Sequence, residues 1–529
     1  MVSTADKKEF KVIGTRPIRH DGYDKVTGRA QYGADIKLPG LVFGAVLRSP
    51  YAHARINKIN TDIAKVQPGV IAVLSGLNIH SDIKPIRPLL ENSGFQATNW
   101  YPMAWDKVRY VGEAVAVVVA SDRYLAEDAA EQVLVEYEPL PVIDSAATGM
   151  LADSARVHDN LISNILLETQ SGLDKDDTAF KQGDIKVRGS FRHPRVTGIP
   201  IENCGVIADY RVDTNELTLW SSTQIPHLLR DALSESLGVS THQIRVIAPD
   251  VGGGFGIKMQ ALPEEIIVSY LARQLHRPVK WTQDRMENIK ASFHARDALV
   301  EAELSANTDG TIVGLRAKAI CDVGAYNSFP LTAGLEPFTI GSALAGPYDF
   351  KYYSYEGYAV ATNKCPMGAY RGVGFVLGPM VMEGLLDQLS QKIGMDPALL
   401  RKKNLAKPTD FPFKSPAGPV YDSGDYPALL DLALEESDYP VWRNLQIEAR
   451  NEGRMLGIGM SCFIEMTGMG RDTYRKRGMV NIPAFDAARL QVDRHGHIEA
   501  FVSTPSQGQG QKTTFAQIIS SALGAPLDV

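Results

Sequence analysis

A chain of 529 residues, 44% hydrophobic and 22% charged, has the composition of a globular protein and is too long for one ordinary core. Its 55 Lys+Arg against 61 Asp+Glu leave a formal charge of -6, and with no long basic run this excludes an electrostatic footprint for nucleic acid. No apolar run reaches the ~18 residues a helical membrane span needs, and the polar start from Met1 to Lys11 lacks both an apolar h-region and an Arg-Arg pair, so a cytoplasmic chain is expected.

Taken in chain order, residues 1–22 read as an extended lead-in. Residues 41–47 read as a strand, and 110–120 (YVGEAVAVVVA) as a Val-rich strand buried on both faces. Ser121 and Asp122 offer N-cap oxygens to a helix over 123–132, with Leu125, Ala129 and Val133 spaced by four, and 133–137 returns as a strand. Strand, helix and strand together predict a βαβ unit. Pro139, Pro141, Gly149 and Gly172 mark 139–180 as loop and as a domain boundary. Strands follow at 206–212 and 217–221 around a turn at Asp213–Asn215, then a helix over 228–237, a strand over 244–248, a helix over 264–275 led by Pro263, and a strand over 279–282. Asp309-Gly310 and His495-Gly496 read as hairpin turns. A third segment begins near Gly418, with a helix over 426–436, strands near 457–465 and 488–492, and a last helix over 513–523.

Four cysteines, Cys204, Cys321, Cys365 and Cys462, are too dispersed for a local zinc or iron–sulfur site and suit buried thiols in a reducing compartment. Three glycine-rich segments could carry chemistry. Residues 251–258 (VGGGFGIK) follow a strand and can present backbone N–H groups to an anion; a tight turn over a buried Phe255 is the alternative. The segment is neither a Walker A loop nor a GxGxxG fingerprint. Residues 366–374 (PMGAYRGVG) place Arg371 in an apolar neighbourhood where it needs a partner, either an anionic ligand or a carboxylate of the fold. Residues 506–511 (SQGQGQ) precede a helix and can bind an anion at its N-terminus, or serve as a polar linker. His495 and His497 sit on a hairpin turn and read as solvated, and the GxGxxxG at 372–378 has the wrong spacing for a nucleotide loop.

In combination these segments are far more specific. Ser222-Thr223-Gln224, GGGFG at 252–256, AYRG at 369–372 and GQG at 508–510, in that order, resemble the large subunit of the xanthine dehydrogenase / aldehyde oxidase / carbon monoxide dehydrogenase family of molybdenum hydroxylases. Residues 24–53 and 110–138 resemble that family's N-terminal α/β hammerhead domain; PEE at 263–265, RPVKW at 277–281, DVGAY at 322–326 and the DP–R–KN stretch of 396–404 are similar too. The resemblance implies an α+β fold: a hammerhead domain over 23–145, a first molybdopterin-binding domain over 165–417, and the start of a second, incomplete one over 418–529. It implies a molybdenum–molybdopterin cofactor in its cytosine dinucleotide form. Gln224 would hydrogen-bond an oxygen on the metal. Gly254, Phe255 and Gly256 would contact the metal's ligands and the pterin, Arg371 would fix the molybdenum end, and Gly508, Gln509 and Gly510 would hold the pterin and its phosphate. Gln224 and Arg371 are thus the expected catalytic positions. No side chain would ligate the metal, which the cofactor's dithiolene holds. FAD and [2Fe–2S] clusters would reside on a medium and a small partner subunit.

Departures from the family pattern narrow the chemistry. Gly372 follows Arg371, and no cysteine lies between Cys365 and Cys462, which speaks against the copper-bridging cysteine of carbon monoxide dehydrogenases. Met259 stands where the purine enzymes carry a glutamate, no arginine lies between Ala319 and Ala369 to grip a purine, and Val373 replaces an aromatic. Met259 and Val373 are therefore the expected substrate-pocket positions, for an aldehyde or an N-heteroaromatic substrate hydroxylated with water. The family's general base is a glutamate near the C-terminus of a longer chain; residues 525–529 read as the entry to a further strand, and neither Glu465 nor Glu499 replaces that base. The expectation is a split or truncated subunit, completed by a chain carrying the remaining part. The alternative is a non-catalytic fragment that binds cofactor or partners.

Overall fold

The computed structural model describes residues 10–92, 94–172, 180–330, 333–466 and 468–527. The first nine residues of the lead-in, and Asp528 and Val529 of the expected strand entry, lie outside them.

Two large sheets organise the molecule. The first has seven strands in the order Ile244–Ile247, Glu216–Ser221, Gly205–Arg211, Val279–Thr282, Val42–Arg48, Ala114–Ala120 and Val70–Ser75. Ala114–Ala120 is buried at every position. Its side chains alternate between two cores: Val117 and Val119 face the main core, while Ala116, Val118 and Ala120 pack with Ala126, Ala129 and Val133 of the following helix and its exit. The expected burial on both faces is present, but both neighbouring strands run antiparallel. This strand starts at Ala114 rather than Tyr110, because Gly112 turns the chain at φ +100 where a Cβ would meet the Lys290 carbonyl at 2.8 Å.

The βαβ unit expected over 110–137 does not form. Helix Arg123–Ala130 is present and capped by Asp122, whose side chain accepts from the Tyr124 N–H. Strand Leu134–Pro139, however, joins a separate three-stranded sheet, antiparallel to Ala54–Asn60. The reason is topological: Ala114–Ala120 already has a partner along each edge and offers no place for a returning strand.

The second sheet has the order Ile165–Ser171, Tyr352–Ala361, Ile312–Gly324, Ala295–Ala306 and Ile185–Val196. Its central hairpin turns at Asp309-Gly310, with Gly310 at φ +83. Strand Ile165–Ser171 lies in the stretch read as loop; it is the edge strand of this sheet, pairing with Tyr352–Ala361 and meeting Phe95 in an isolated antiparallel bridge at Leu167. Helix Leu377–Ile393 closes this sheet's core through Val381, Leu385 and Leu389.

The first sheet crosses the boundary expected at 139–180. Val42–Arg48 pairs in parallel with Val279–Thr282, so strands from both sides form one hydrogen-bonded surface. Beyond Gly418 the helix Tyr426–Glu436 and the hairpin Ala488–Val492 with Ile498–Val502 form where the sequence places them. No strand forms over 457–465. Its apolar alternation finds no neighbouring strand among the described residues, and Met455 and Phe463 are exposed. The last helix, Gln511–Leu523, starts two residues earlier than expected.

Candidate cofactor cradle

The site is built at the ends of elements of the first sheet. Glu216–Ser221 ends in Ser222-Thr223-Gln224, and helix Pro226–Leu237 follows. Ile244–Ile247 ends in the 251–258 loop, and helix Pro263–Leu275 follows. The two strands are parallel neighbours, so their C-terminal loops emerge side by side. The Gln224 backbone N–H donates to the Lys258 carbonyl at 2.8 Å, and the Gln224 side-chain Oε1 accepts from the Gly256 N–H at 2.9 Å.

Glycine is required in this loop for two different reasons. Gly253 and Gly256 sit at φ +100 and +95, where a side chain is strained. Gly254 is not in that region; its constraint is space. A Cβ there would lie 2.5 Å from Gln507 Oε1 and 2.6 Å from Gln224 Oε1. Phe255, at φ +53, is 46% exposed, so the alternative of a turn over a buried phenylalanine is ruled out.

The AYRG loop docks on the first loop. The Arg371 N–H donates to the Phe255 carbonyl at 2.9 Å. Buried Gln260, with its amide oriented to donate to Gly256 O at 3.1 Å and accept from Ala369 N at 2.9 Å, staples the two together. Arg371 itself is exposed, and its guanidinium has no ion pair among the described residues, so the expected apolar surroundings are absent. The buried cation here is Arg296, which sequence reading missed. It donates to the carbonyls of Tyr370 at 3.1 Å and Arg371 at 2.7 Å, and pairs with Glu336 at 3.3 Å. Gly372 is at φ +94 and Val373 at φ +47, the latter starting the turn Val373–Val376; Met259 is half-buried against the main core.

The GQG segment comes from the far end of the chain and reaches the same place. Gly508 and Gly510 are at φ +106 and +84, and Gly510 precedes helix Gln511–Leu523. Gln509 is exposed and turns back, its Oε1 accepting from the Gln507 N–H at 2.7 Å. The glutamine that meets Gly254 is Gln507. The lead-in supports this turn, with Arg19 Nη1 donating to the Gly508 carbonyl at 3.1 Å and the His20 N–H to Thr513 Oγ1 at 3.0 Å.

A buried ion pair braces the first loop. Lys258 Nζ reaches Glu202 at 2.8 Å with its side chain fully buried, and the same carboxylate oxygen accepts from the Gly252 N–H at 2.7 Å and Ser222 Oγ at 2.8 Å. Lys258 closes the glycine motif and was visible there; nothing in the sequence marks Glu202 as its partner. Glu265 accepts from Ser221 Oγ, and burial pushes its carboxyl up to about 7. The thiols of Cys204 and Cys365 are pushed up to about 12 by burial, which leaves them inert as nucleophiles.

A surface cavity of about 700 Å³ lies elsewhere, on the charged outer face of the second sheet beside Arg188, Glu301, Glu303 and Lys318. None of the four loops lines it. Charged side chains on an open sheet face are ordinary solvated surface, so the loop convergence is the stronger candidate.

Comparison with known proteins places the chain in a family. The signature of the aldehyde oxidase and xanthine dehydrogenase a/b hammerhead domain matches residues 27–141, and that of the molybdopterin cofactor-binding domain matches residues 157–405 and 432–529. The carbon monoxide dehydrogenase large chain of Hydrogenophaga pseudoflava is 34% identical over 100% of this chain and 67% of its own length. The chain belongs to the xanthine dehydrogenase / aldehyde oxidase family of molybdenum hydroxylase large subunits. The nicotine 6-hydroxylase large subunit of Paenarthrobacter nicotinovorans is 36% identical over 98% of the chain, which spans 63% of that relative. Among solved structures, quinoline 2-oxidoreductase from Pseudomonas putida 86 matches with a TM-score of 0.94 at 39% identity, covering 98% of this chain and 66% of that one. In this chain the stretches that match the hammerhead and cofactor-binding signatures thus share the seven-stranded sheet. Among the described residues no helix is long and apolar enough to cross a membrane.

Proposed function

We propose that this chain holds the molybdenum–molybdopterin cofactor, in its cytosine dinucleotide form, of a cytoplasmic hydroxylase that oxidises an aldehyde or N-heteroaromatic carbon with water. The observation that carries the reading is Gly254: two glutamine amides from distant loops close on the space its missing Cβ leaves. Such a cradle of backbone N–H groups and amides fits a group rich in oxygen and nitrogen atoms.

When bound, that group supplies the redox centre and the water-derived oxygen. The chain's residues do the holding and shaping. Gln224 spends its Oε1 on Gly256 and leaves its Nε2 as a donor toward the metal end. Gly254 and Phe255 would offer backbone to the metal's ligands and the pterin, and Gly256, whose N–H and carbonyl are already bonded to Gln224 and Gln260, would contact them through its Cα. The exposed guanidinium of Arg371 is free to take an anionic part of the cofactor. Gly508, Gln509 and Gly510 form the turn for the pterin and its phosphate. Met259 and Val373 present apolar surface to the substrate, which suits a heteroaromatic ring better than a purine that must be hydrogen-bonded. Relatives named for nicotine and quinoline support the same class. Carbon monoxide is disfavoured, since position 372 is a glycine at φ +94.

FAD and [2Fe–2S] clusters on medium and small partner subunits would carry electrons away. We divide the chain into a hammerhead domain over 23–145 and cofactor-binding domains over 165–417 and 418–529. A second reading, a cofactor- or partner-binding fragment without turnover, is favoured by the apolar side chains left exposed beyond residue 418, among them Leu429, Trp442, Phe463 and Phe485. A polypeptide equivalent to the remaining third of the relatives would cover that surface and bring the general base.

The test is elemental analysis of the chain purified from a host that makes the cofactor, with and without partner subunits. Near-stoichiometric molybdenum is expected, together with its loss in Gly254→Ala, whose methyl group would fill the cradle. A metal-free wild-type chain in the assembled complex would sink the reading. Molybdenum without turnover of quinoline, nicotine or an aldehyde would favour the second.

A further inference from the structure

We infer that Gln507 is a cofactor-binding residue that pairs with Gln224 across Gly254 to form a two-amide clamp on the molybdenum end of the group. The inference rests on the cofactor reading above and adds a residue that the GQG resemblance does not mark.

Three observations carry it. First, the amides of Gln507 and Gln224 lie 2.5 and 2.6 Å from one point, the place a Cβ of Gly254 would occupy, although the residues are far apart in sequence. Second, the two amides differ in what they have already spent. Gln224 Oε1 accepts from Gly256, which fixes its rotamer and leaves Nε2 as the available donor. The side-chain amide of Gln507 makes no hydrogen bond to any described residue, although it is only half exposed. A half-buried amide without a partner is poised for one from outside the chain. Third, the backbone beneath Gln507 is locked. Its N–H is taken by Gln509 Oε1 at 2.7 Å, Gly508 and Gly510 turn the chain at φ +106 and +84, and Arg19 holds the Gly508 carbonyl. Gln507 therefore presents its amide from a fixed platform, while the exposed side chain of Gln509 serves that platform in this state.

The chemistry follows from the amide itself. A primary amide offers two N–H donors and a carbonyl acceptor, and it can rotate to match either an oxygen on the metal or a ring N–H of the pterin. Two amides aimed at one point from opposite loops also report closure, because the clamp exists only when the 418–527 segment sits on the 251–258 loop.

The test uses the full chain produced in a cofactor-making host, with molybdenum by elemental analysis and pterin by fluorescence after oxidation as readouts. Gln507→Ala and the near-isosteric Gln507→Met should unfold at the wild-type temperature without cofactor, since the amide makes no internal bond. Both should retain about tenfold less molybdenum and pterin, the loss of one hydrogen bond. Full loading of Gln507→Met would overturn the clamp, because packing alone would then suffice; so would full loading of Gln507→Ala. A wild-type chain that takes up neither molybdenum nor pterin would overturn the cofactor reading itself, and the clamp with it.

Discussion

Glu265 shows how much a single buried group next to the site can decide. Its carboxylate is buried, accepts from Ser221 Oγ and the Leu262 N–H, and is pushed by burial from 4.5 to about 7. A carboxyl whose folded pKa is raised contributes stability that is fully present below its unfolded value near 4.5 and is lost as pH rises toward 7. His158 and His294 act in the opposite sense. Burial lowers both to about 4, so their contribution is present above about 6.5 and is lost as pH falls toward 4. The two trends offset each other in the whole chain, so the effect must be read as a difference. Glu265→Gln mimics the protonated form and should gain stability relative to wild type between pH 5 and pH 8, on the order of 3 kcal/mol. Urea unfolding at several pH values measures it, and parallel curves for the two proteins would refute the assignment. Residue by residue, the motifs were readable because glycine, glutamine and arginine in fixed order are conspicuous. Their partners Glu202, Gln260 and Arg296 were not, because a hydrogen bond across the fold leaves no mark on local sequence.

Among the elements, strand Ala295–Ala306 does more than build the second sheet. It opens with two successive left-handed residues, Arg296 at φ +70 and Asp297 at φ +52, which aim Arg296 beneath the AYRG loop. Glu336, on helix Leu335–Ala343, meets it there, and the two side chains are 3% and 0% exposed. Breaking such a pair leaves a charge buried and unpaired, so Arg296→Met should cost about 3–5 kcal/mol and loosen the loop carbonyls of Tyr370 and Arg371. Adding Glu336→Leu should recover much of that loss, because the stranded carboxylate is gone. A double-mutant cycle by urea unfolding checks this, and strictly additive single effects would contradict it. Elements with a strong period of their own, such as helix Pro263–Leu275 and strand Val279–Thr282, were legible. Strand Leu134–Pro139 was legible as a strand but not in its sheet, because pairing depends on which edges are already taken. The apolar run over 457–465 reads as a strand yet forms none, for want of a neighbour.

Over the whole molecule, burial is uneven. Residues up to 417 wrap two large cores, whereas among the apolar side chains of 418–527 only Leu430, Ala449, Met479 and Ile482 are buried. A groove of about 500 Å³ runs between the Ile498–Val502 strand and helix Gln511–Leu523, lined by Ile498, Val502, Phe515 and Ile519. A segment with so little buried surface opens at low free energy. Trypsin should therefore cut at the exposed Arg471, Arg475, Lys476 or Arg489 well before any site in the described strands and helices of 180–330 and 333–417. Adding a polypeptide equivalent to the remaining third of the relatives should protect those sites. Timed digestion followed by mass spectrometry reads both results, and equal cutting on either side of Gly418 would count against the uneven core.

The amino-acid sequence by itself determined the family, the order of the hammerhead and cofactor-binding regions, and the four loops that carry the candidate chemistry. These rest on local signals: glycine where the backbone must approach something closely, and apolar periods that set strand and helix. Only the tertiary structure decided that one sheet joins the two regions, that Arg296 rather than Arg371 is the buried cation, and that Gln507 rather than Gln509 faces Gln224 across Gly254. Those outcomes depend on which strand edges remain free and on the few ångströms between loops far apart in the chain, and neither quantity is encoded at any single position.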